Sequence, residues 1–175
     1  MSALTSANRA IQALNAGAFS PGVLDALDGL SRGDRTDDLE NALLRVLATT
    51  ADPRMRNAAA VALADLGSEI APSVIRGLLV SPPTEGCRGT LLYALREMGG
   101  RLPLGLIVSS LARNVGEAQE ELLGFLEGGL VEPASEAERA GAVDFMKRHL
   151  ERAPSASQRA IWEDALALVS DLETS

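Results

Sequence analysis

Aromatic residues and cysteine are scarce in this chain. Phe, Trp and Tyr make up 3% of the 175 residues, and Cys87 is the only cysteine. One cysteine cannot form an internal disulfide, so a disulfide-stabilised scaffold is excluded. The β-branched and aromatic residues that favour strands are also too few to predict a β-sandwich. The core must therefore be packed from small aliphatic side chains.

Lysine and long apolar runs are nearly missing as well. Lys147 is the only lysine, and the formal net charge is −8. Affinity for nucleic acid normally requires a basic surface, so we expect a basic protein as the partner. The longest nearly apolar stretch, residues 102–112, is far shorter than the roughly 20 residues that span a bilayer. Residues 1–10 show no signal-peptide pattern, and we expect a cytoplasmic protein that does not enter a membrane.

Alanine and leucine are the commonest residues of the chain. Both are strong helix formers. Apolar residues recur at helical spacing, and Pro, Gly or Asp interrupts them at short intervals. The sequence therefore predicts an all-α fold of about ten helices. They lie near residues 3–15, 21–31, 37–50, 53–66, 70–80, 85–99, 103–114, 117–129, 135–152 and 156–173.

The chain also repeats itself at a nearly constant interval. Arg56 stands six residues before an Ala-Leu pair, and Arg88 does the same in the next unit. Gln119 takes this place in the unit after that, and Arg159 takes it near the end. Each repeat would hold two helices. A single hairpin of this kind cannot bury its apolar face, so stacked units are expected to build a continuous core.

One of these repeats is similar to a known family. The stretch from Asp52 to Gly67 resembles the first helix of a HEAT repeat, and the stretch from Ile70 to Leu79 resembles the second. The resemblance is with the short repeats of phycobiliprotein lyases and of many bacterial HEAT-like proteins. HEAT arrays mainly bind other proteins, so the resemblance implies a binding scaffold.

The resemblance also implies an architecture. HEAT-like repeats stack as a right-handed α-solenoid of antiparallel helix pairs, and we expect a single domain over residues 1–175. Within it, residues 36–130 are the core repeats. Residues 1–35 and 131–175 are expected to be capping helices at the two ends.

The candidate binding residues lie on the second helices, which line the concave face in HEAT-like stacks. Aligning Leu43 with Val74 places Arg45 and Arg76 at equivalent positions, where they would form a ladder that faces a partner. The alternative is that each arginine pairs with a neighbouring acid and is merely solvated. The other predicted partner-binding residues are Asp38, Asn41, Ser109 and Arg113.

Other residues are expected to have structural roles. Arg56 and Arg88 should tie successive units together through bonds from side chain to backbone. His149 suits the C-terminal end of a helix, because the helix dipole favours a cation there. Trp162 is expected to seal the end of the stack. Five acids within residues 117–132 form either a solvated face or a patch for a basic partner. They are Glu117, Glu120, Glu121, Glu127 and Glu132.

No catalytic signature is visible in the sequence. It lacks a glycine-rich phosphate loop and a Gly-x-Ser-x-Gly elbow, and one histidine with one cysteine predicts no metal site. We expect a non-catalytic module without cofactor or metal that binds another protein, for example an immunity or inhibitor protein for a basic toxin. One alternative is a lyase-like or chaperone-like protein that acts on a tetrapyrrole carrier. Another, disfavoured by the charge, is a nucleic-acid binder.

Overall fold

The computed structural model describes residues 6–16 and 20–171. Within these residues it contains ten α-helices and two 3-10 turns, at Arg32–Asp34 and Pro82–Thr84. The all-α prediction of about ten helices is confirmed. The helices are α1 (Ser6–Asn15), α2 (Pro21–Leu27), α3 (Asp37–Thr49), α4 (Pro53–Asp65), α5 (Ala71–Leu79), α6 (Gly89–Glu97), α7 (Leu104–Leu111), α8 (Glu117–Glu127), α9 (Glu136–Glu151) and α10 (Ala156–Asp171).

Each predicted helix has a counterpart, but several are shorter than predicted. The helix predicted over residues 85–99 begins only at Gly89, because Gly86 adopts a positive φ of 79° that breaks the helix. The helix predicted over residues 103–114 ends at Leu111. The predicted outer ends of the first and last helices, residues 3–5 and 172–173, lie outside the described residues.

The chain divides into two compact units, and the first comprises residues 1–98. In this unit α1 packs on α2, α3 on α4, and α5 on α6. Alternate helices also lie side by side. We call α1, α3 and α5 the first layer and α2, α4 and α6 the second layer. The three hairpins thus repeat one pattern of contacts.

The second unit, residues 99–175, shows the same pattern with two hairpins. Helix α7 packs on α8 and α9 packs on α10, while α7 lies beside α9 and α8 beside α10. We call α7 and α9 the first layer of this unit, and α8 and α10 its second layer. An isolated parallel bridge joins Leu102 to Val131, with the Leu102 amide donating to the Leu130 carbonyl at 3.1 Å. The bridge holds the segment that precedes α9 along the start of α7.

Burial fixes how the first-layer helices align. Leu43 and Leu47 in α3, and Ile75 and Leu79 in α5, are at most 3% exposed. Their common spacing aligns Leu43 with Ile75, whereas Val74 is only half-buried. The alignment of Leu43 with Val74 expected from the sequence is therefore wrong by one residue.

Buried polar side chains stand at the start of α4, α6 and α8. Arg56, Arg88 and Gln119 are at most 7% exposed. Each donates a hydrogen bond to a backbone carbonyl at or just beyond the C-terminal end of the preceding helix, at 3.4, 3.2 and 3.1 Å respectively. We call these three residues the carbonyl anchors, and they confirm the expected bonds to backbone. The acceptors are the carbonyl oxygens of Thr50, Ser81 and Leu111.

Among the described helices, the last does not carry an anchor of this kind. Arg159, which the sequence places in the same series, is exposed on α10. That part of the predicted repeat is wrong. The apolar positions still match, because Ala165 and Val169 are buried in α10.

Glycines with positive φ follow three of the second-layer helices, and those after α4 and α8 form the same cap. Gly67 follows α4 and Gly129 follows α8, with φ of 65° and 62°. In both cases the amide after the glycine donates to a carbonyl five residues back, at 2.9 Å. This left-handed C-terminal cap favours glycine because a Cβ is strained there. The helix ends predicted at these glycines are confirmed.

A buried carboxylate ties α3 to the turn between α4 and α5. Glu40 is 6% exposed and accepts from Ser68 Oγ at 2.5 Å and from Arg35 Nε at 2.9 Å. Ser68 Oγ in turn accepts from the Ala71 amide at the start of α5. Arg35 also donates to the Gly67 carbonyl at 3.1 Å. Neighbouring side chains therefore supply the positive charge and the hydrogen bonds that a buried carboxylate requires.

Replacing Arg88 by methionine tests the carbonyl anchors. The variant keeps a long apolar stem but removes the donor to the Ser81 carbonyl and to Thr84 Oγ1. The Ser81 carbonyl keeps its two hydrogen bonds from Thr84, so the variant loses the bonds of the charged donor and leaves no bare acceptor there. Hydrogen bonds to charged groups contribute about 1.5 to 3 kcal/mol, and we expect a loss of that size in the free energy of unfolding, measured in urea. Arg159→Met, at the exposed position on α10, serves as control and should change little. Equal stabilities for the two variants would contradict the anchoring role.

Candidate functional site

Helices α7 and α9 leave a groove between them. It encloses about 360 Å³, and its walls include Leu104 and Val108 from α7, Ala142 and Phe145 from α9, and the segment 132–134. A smaller cavity of about 250 Å³ adjoins it and shares that segment. Apolar clefts of about 300 to 1,000 Å³ are the usual size of binding pockets in proteins. We call this cleft the α7–α9 groove.

Two glycines widen the groove, one from each wall. Gly105 is the second residue of α7, and Gly141 lies in the interior of α9. Apart from its two chain neighbours and the nearby backbone of its own helix, a Cβ added at either position meets no atom of the described residues within 4 Å. Glycine in a helix interior costs about 0.5 to 1 kcal/mol relative to alanine. No packing contact therefore requires Gly141, and the open space beside it belongs to the groove.

Two carboxylates stand at the end of the groove where α7 and α9 begin. Glu132 is half-buried in the segment before α9, and Glu138 lies in the first turn of α9. The amide and hydroxyl of Ser135 donate to Glu138 Oε2 at 2.8 and 2.7 Å, which confirms the capping box. These hydrogen bonds lower the pKa of Glu138 below its ordinary value. Its negative charge is therefore fixed in place at neutral pH.

The structure places one of the predicted binding residues in this groove and a second residue beside that one. Ser109, on α7, lines it. Arg113 lies in the turn after α7 and donates to Ser109 Oγ at 3.5 Å. A cation thus lies near the last turn of α7, while the carboxylates lie near its start.

Three other predicted residues share one face of α3 in the first unit. Asp38, Asn41 and Arg45 are exposed, and their spacing of three and four residues places them together. Arg45 donates to Asn15 Oδ1 of α1 at 3.1 Å. This bond crosses from α3 to the neighbouring helix of the same layer.

The predicted arginine ladder needs correction. With Leu43 aligned to Ile75, the residue of α5 that corresponds to Arg45 is Gly77. Arg76, half-buried on α5, is displaced from that position by about 100° around the helix axis. Their equivalence is therefore wrong, although a joint role in binding stays a prediction.

A cluster of acids at three helix ends was missed by the sequence reasoning. Asp28 caps α2, Asp65 ends α4 and Glu97 ends α6, all in the second layer of the first unit. Partial burial of the Asp65 carboxyl, and then the charges of Asp28 and Glu97, raise the pKa of Asp65. Carboxylates at helix C-termini also oppose the helix dipole. These residues are far apart in sequence, and only the stacking of hairpins places them together.

The predicted acidic segment does not act as one surface. Glu132 lines the α7–α9 groove, whereas the other four acids, Glu117, Glu120, Glu121 and Glu127, lie on α8 in the other layer. Glu132 is close to α8 along the chain, but the bridge between Leu102 and Val131 holds its segment beside the start of α7.

The aromatic residues of the second unit pack between α9 and α10. Trp162 is 5% exposed, as expected of a packing role. His149 stacks on Phe145 with a centroid separation of 4.1 Å and lies 5.0 Å from Trp162. His149 Nδ1 bonds the Phe145 carbonyl at 2.9 Å, which places the proton on Nδ1. These contacts hold the Phe145 ring, one wall of the groove, in position.

Comparisons with protein-family models, with curated proteins and with solved structures found no match to this chain. In the part of the chain that the structure describes, no helix has both the length and the apolar character needed to cross a bilayer. No group of three or more His, Cys, Asp or Glu side chains there is arranged to hold a metal ion.

Replacing Gly141 by alanine tests whether the fold needs this glycine. Because the added methyl enters open space, we expect the free energy of unfolding to rise by about 0.5 to 1 kcal/mol, measured in urea. Gly129→Ala is the matched control. Its φ of 62° predicts a loss of about 1 to 2 kcal/mol. Destabilisation by Gly141→Ala would show that the glycine serves packing instead.

The Asp65→Asn variant tests the acidic cluster. A raised pKa means that folding disfavours the charged carboxylate, so removing the charge should increase the free energy of unfolding at pH 7. The gain should shrink as the pH falls through the raised pKa, and should vanish below the ordinary pKa of aspartate. Urea unfolding between pH 7 and about pH 4 measures it. A gain independent of pH would contradict this account.

Proposed function

We propose that this protein is a non-catalytic binding module, built as a right-handed HEAT-like solenoid, that holds a basic segment of a partner protein in the α7–α9 groove. The observation that carries the proposal is the groove itself. It combines apolar walls, a helix glycine that no internal packing contact requires, and two carboxylates at one end. Apolar walls with a few placed polar groups are typical of recognition sites.

The solenoid is supported by the repeated contacts within each unit. Hairpins pair in the same way, and alternate helices form two layers in the first unit and again in the second. The carbonyl anchors recur at a nearly constant interval along α4, α6 and α8. In repeat proteins each unit contacts its neighbours in this manner.

The charge of the chain supports a basic partner. A net charge of −8 steers cationic proteins toward the surface and speeds their association. A basic toxin or nuclease that must be masked is one partner of this kind. The single cysteine fits a reducing compartment such as the cytoplasm.

A second contact surface is proposed on the first layer of the first unit. Asp38, Asn41 and Arg45 share an exposed face of α3 there, and Arg76 lies on the neighbouring α5. Partner contacts at this face would supplement those at the groove.

Affinity capture with the tagged full chain tests the groove. From an extract of the cells that make the protein, the wild type should recover one basic protein in stoichiometric amount. Gly141→Leu should recover less than about a tenth of it, because the leucine fills the groove at a central contact position. Quantitative mass spectrometry measures the recovery.

Gly29→Leu is the matched control for this capture. Gly29 also has open space around an added Cβ, and its variant should recover the partner fully. Undiminished recovery by Gly141→Leu, with loss only in the double variant Arg45→Glu and Arg76→Glu, would move the site to α3 and α5. Failure to recover any stoichiometric protein over a range of salt concentrations would contradict the binding function.

A further inference from the structure

We infer that the Arg56 guanidinium binds a buried water molecule, which links its Nη1 group to a backbone carbonyl at the C-terminal end of α3. In the α3–α4 hairpin this water takes the place that the Thr84 hydroxyl takes in the α5–α6 hairpin. The inference does not depend on the partner proposed above, because Arg56 lies in the first unit and does not line the α7–α9 groove.

Arg56 is a buried cation with few hydrogen-bond partners. The residue is 3% exposed, and within the described part of the chain its side chain donates one hydrogen bond, from Nη2 to the Thr50 carbonyl at 3.4 Å. The buried Nη1 group has no acceptor among the same residues. A guanidinium keeps its charge in proteins, and burying a charge without hydrogen bonds is costly. Nη1 therefore requires an acceptor.

The polar side chains of the connection between α3 and α4 bond other groups. This connection comprises residues 50–52. Thr50 Oγ1 accepts from the Asp52 amide at 3.2 Å. The Asp52 carboxylate accepts from the Arg54 amide at 2.9 Å and pairs with the Arg54 guanidinium at 3.2 Å. Neither side chain bonds Nη1 of Arg56.

The next hairpin shows how a side chain satisfies the corresponding arginine. Arg88 donates from Nε to Thr84 Oγ1 at 3.3 Å and from Nη2 to the Ser81 carbonyl at 3.2 Å. Thr84 is 1% exposed, and its Oγ1 lies within hydrogen-bond distance of the Leu78 and Ser81 carbonyl oxygens. One hydroxyl thus accepts from the guanidinium and donates to a carbonyl near the end of α5. The longer connection of this hairpin, residues 80–88, supplies that hydroxyl.

The chemistry around Arg56 selects water over an anion. Thr50, whose carbonyl accepts from Arg56, is the C-terminal cap of α3. The last carbonyls of a helix lack partners within the helix, and the helix dipole makes this end negative. An anion such as chloride could accept from Nη1 but would be repelled by the carbonyls. Water both accepts and donates, and buried waters typically make about three hydrogen bonds to polar groups that are otherwise unpaired.

A crystal structure of the wild-type full chain, grown in sodium bromide, tests the inference directly. We expect an isolated density peak at hydrogen-bond distance from Arg56 Nη1 and from a carbonyl oxygen at the end of α3, without anomalous signal from bromine. Density at Nη1 that belongs only to protein atoms would overturn the inference. An anomalous bromide peak at that position would also overturn it, because the occupant would then be an anion.

Magnetic relaxation dispersion of the solvent tests it in solution, because the method detects internal waters that stay bound for longer than nanoseconds. Arg56→Met should lower the dispersion amplitude by about one water molecule. Arg159→Met, at the exposed position on α10, should leave the amplitude unchanged. Equal amplitudes for the wild type and a folded Arg56→Met variant would contradict the inference. Circular dichroism and the fluorescence of Trp162 verify that each variant is folded.

Thr84 variants provide the reciprocal test in the α5–α6 hairpin. Thr84→Ala removes the hydroxyl and makes space beside Arg88, so the dispersion amplitude should rise by about one water molecule. Thr84→Val places a methyl group where the hydroxyl was, so it should admit no water and should unfold at a lower urea concentration than Thr84→Ala. Amplitudes that rise in neither variant would contradict the equivalence of water and hydroxyl on which the inference rests.

Discussion

A buried side chain that donates to a carbonyl at or just beyond the end of the preceding helix is the interaction on which the three middle hairpins depend. The last carbonyls of a helix have no partner within the helix, and burying them unpaired would be costly. Arg56, Arg88 and Gln119 supply the donors at α4, α6 and α8. Because they recur at a nearly constant interval along the chain, each joins its helix to the preceding one in the same way. The α3–α4, α5–α6 and α7–α8 hairpins are therefore closed in the same way.

The anchors leave the first layer free to carry function. The carbonyl anchors lie at the starts of second-layer helices. The side chains of α7 and α9 that line the groove take no part in these hydrogen bonds. Gly105 and Gly141 line the groove and carry no side chain that would occupy it. Gly141 is less favourable than alanine in the interior of α9, and natural proteins commonly accept such losses of stability at binding sites. Phe145 and the capped Glu138 are held by neighbours within α9 or just before it, which gives the groove rigid walls.

Local patterns predicted much of the fold, because the spacing of apolar residues and the positions of proline and glycine determine where a helix begins, ends and is buried. The helix ends at Gly67 and Gly129 and the buried Arg56 and Arg88 are of this kind. The alignment of α3 with α5 was wrong by one residue, since Leu43 can match either of two adjacent aliphatic residues in sequence. Ser109 was the one predicted residue found to line the groove. The sequence did not indicate the opposite wall, because Gly141 and Glu132 line a groove only when α9 lies beside α7.

The most direct measurement is an isotope-filtered NMR experiment on the full chain with the captured partner protein bound. It detects protons of the partner within about 5 Å of protons of this chain, the range over which apolar groups of neighbouring residues make contact. The account predicts cross-peaks between protons of the partner and both Val108 and Phe145. Cross-peaks confined to exposed apolar residues elsewhere, such as Tyr93 or Val115, would contradict it.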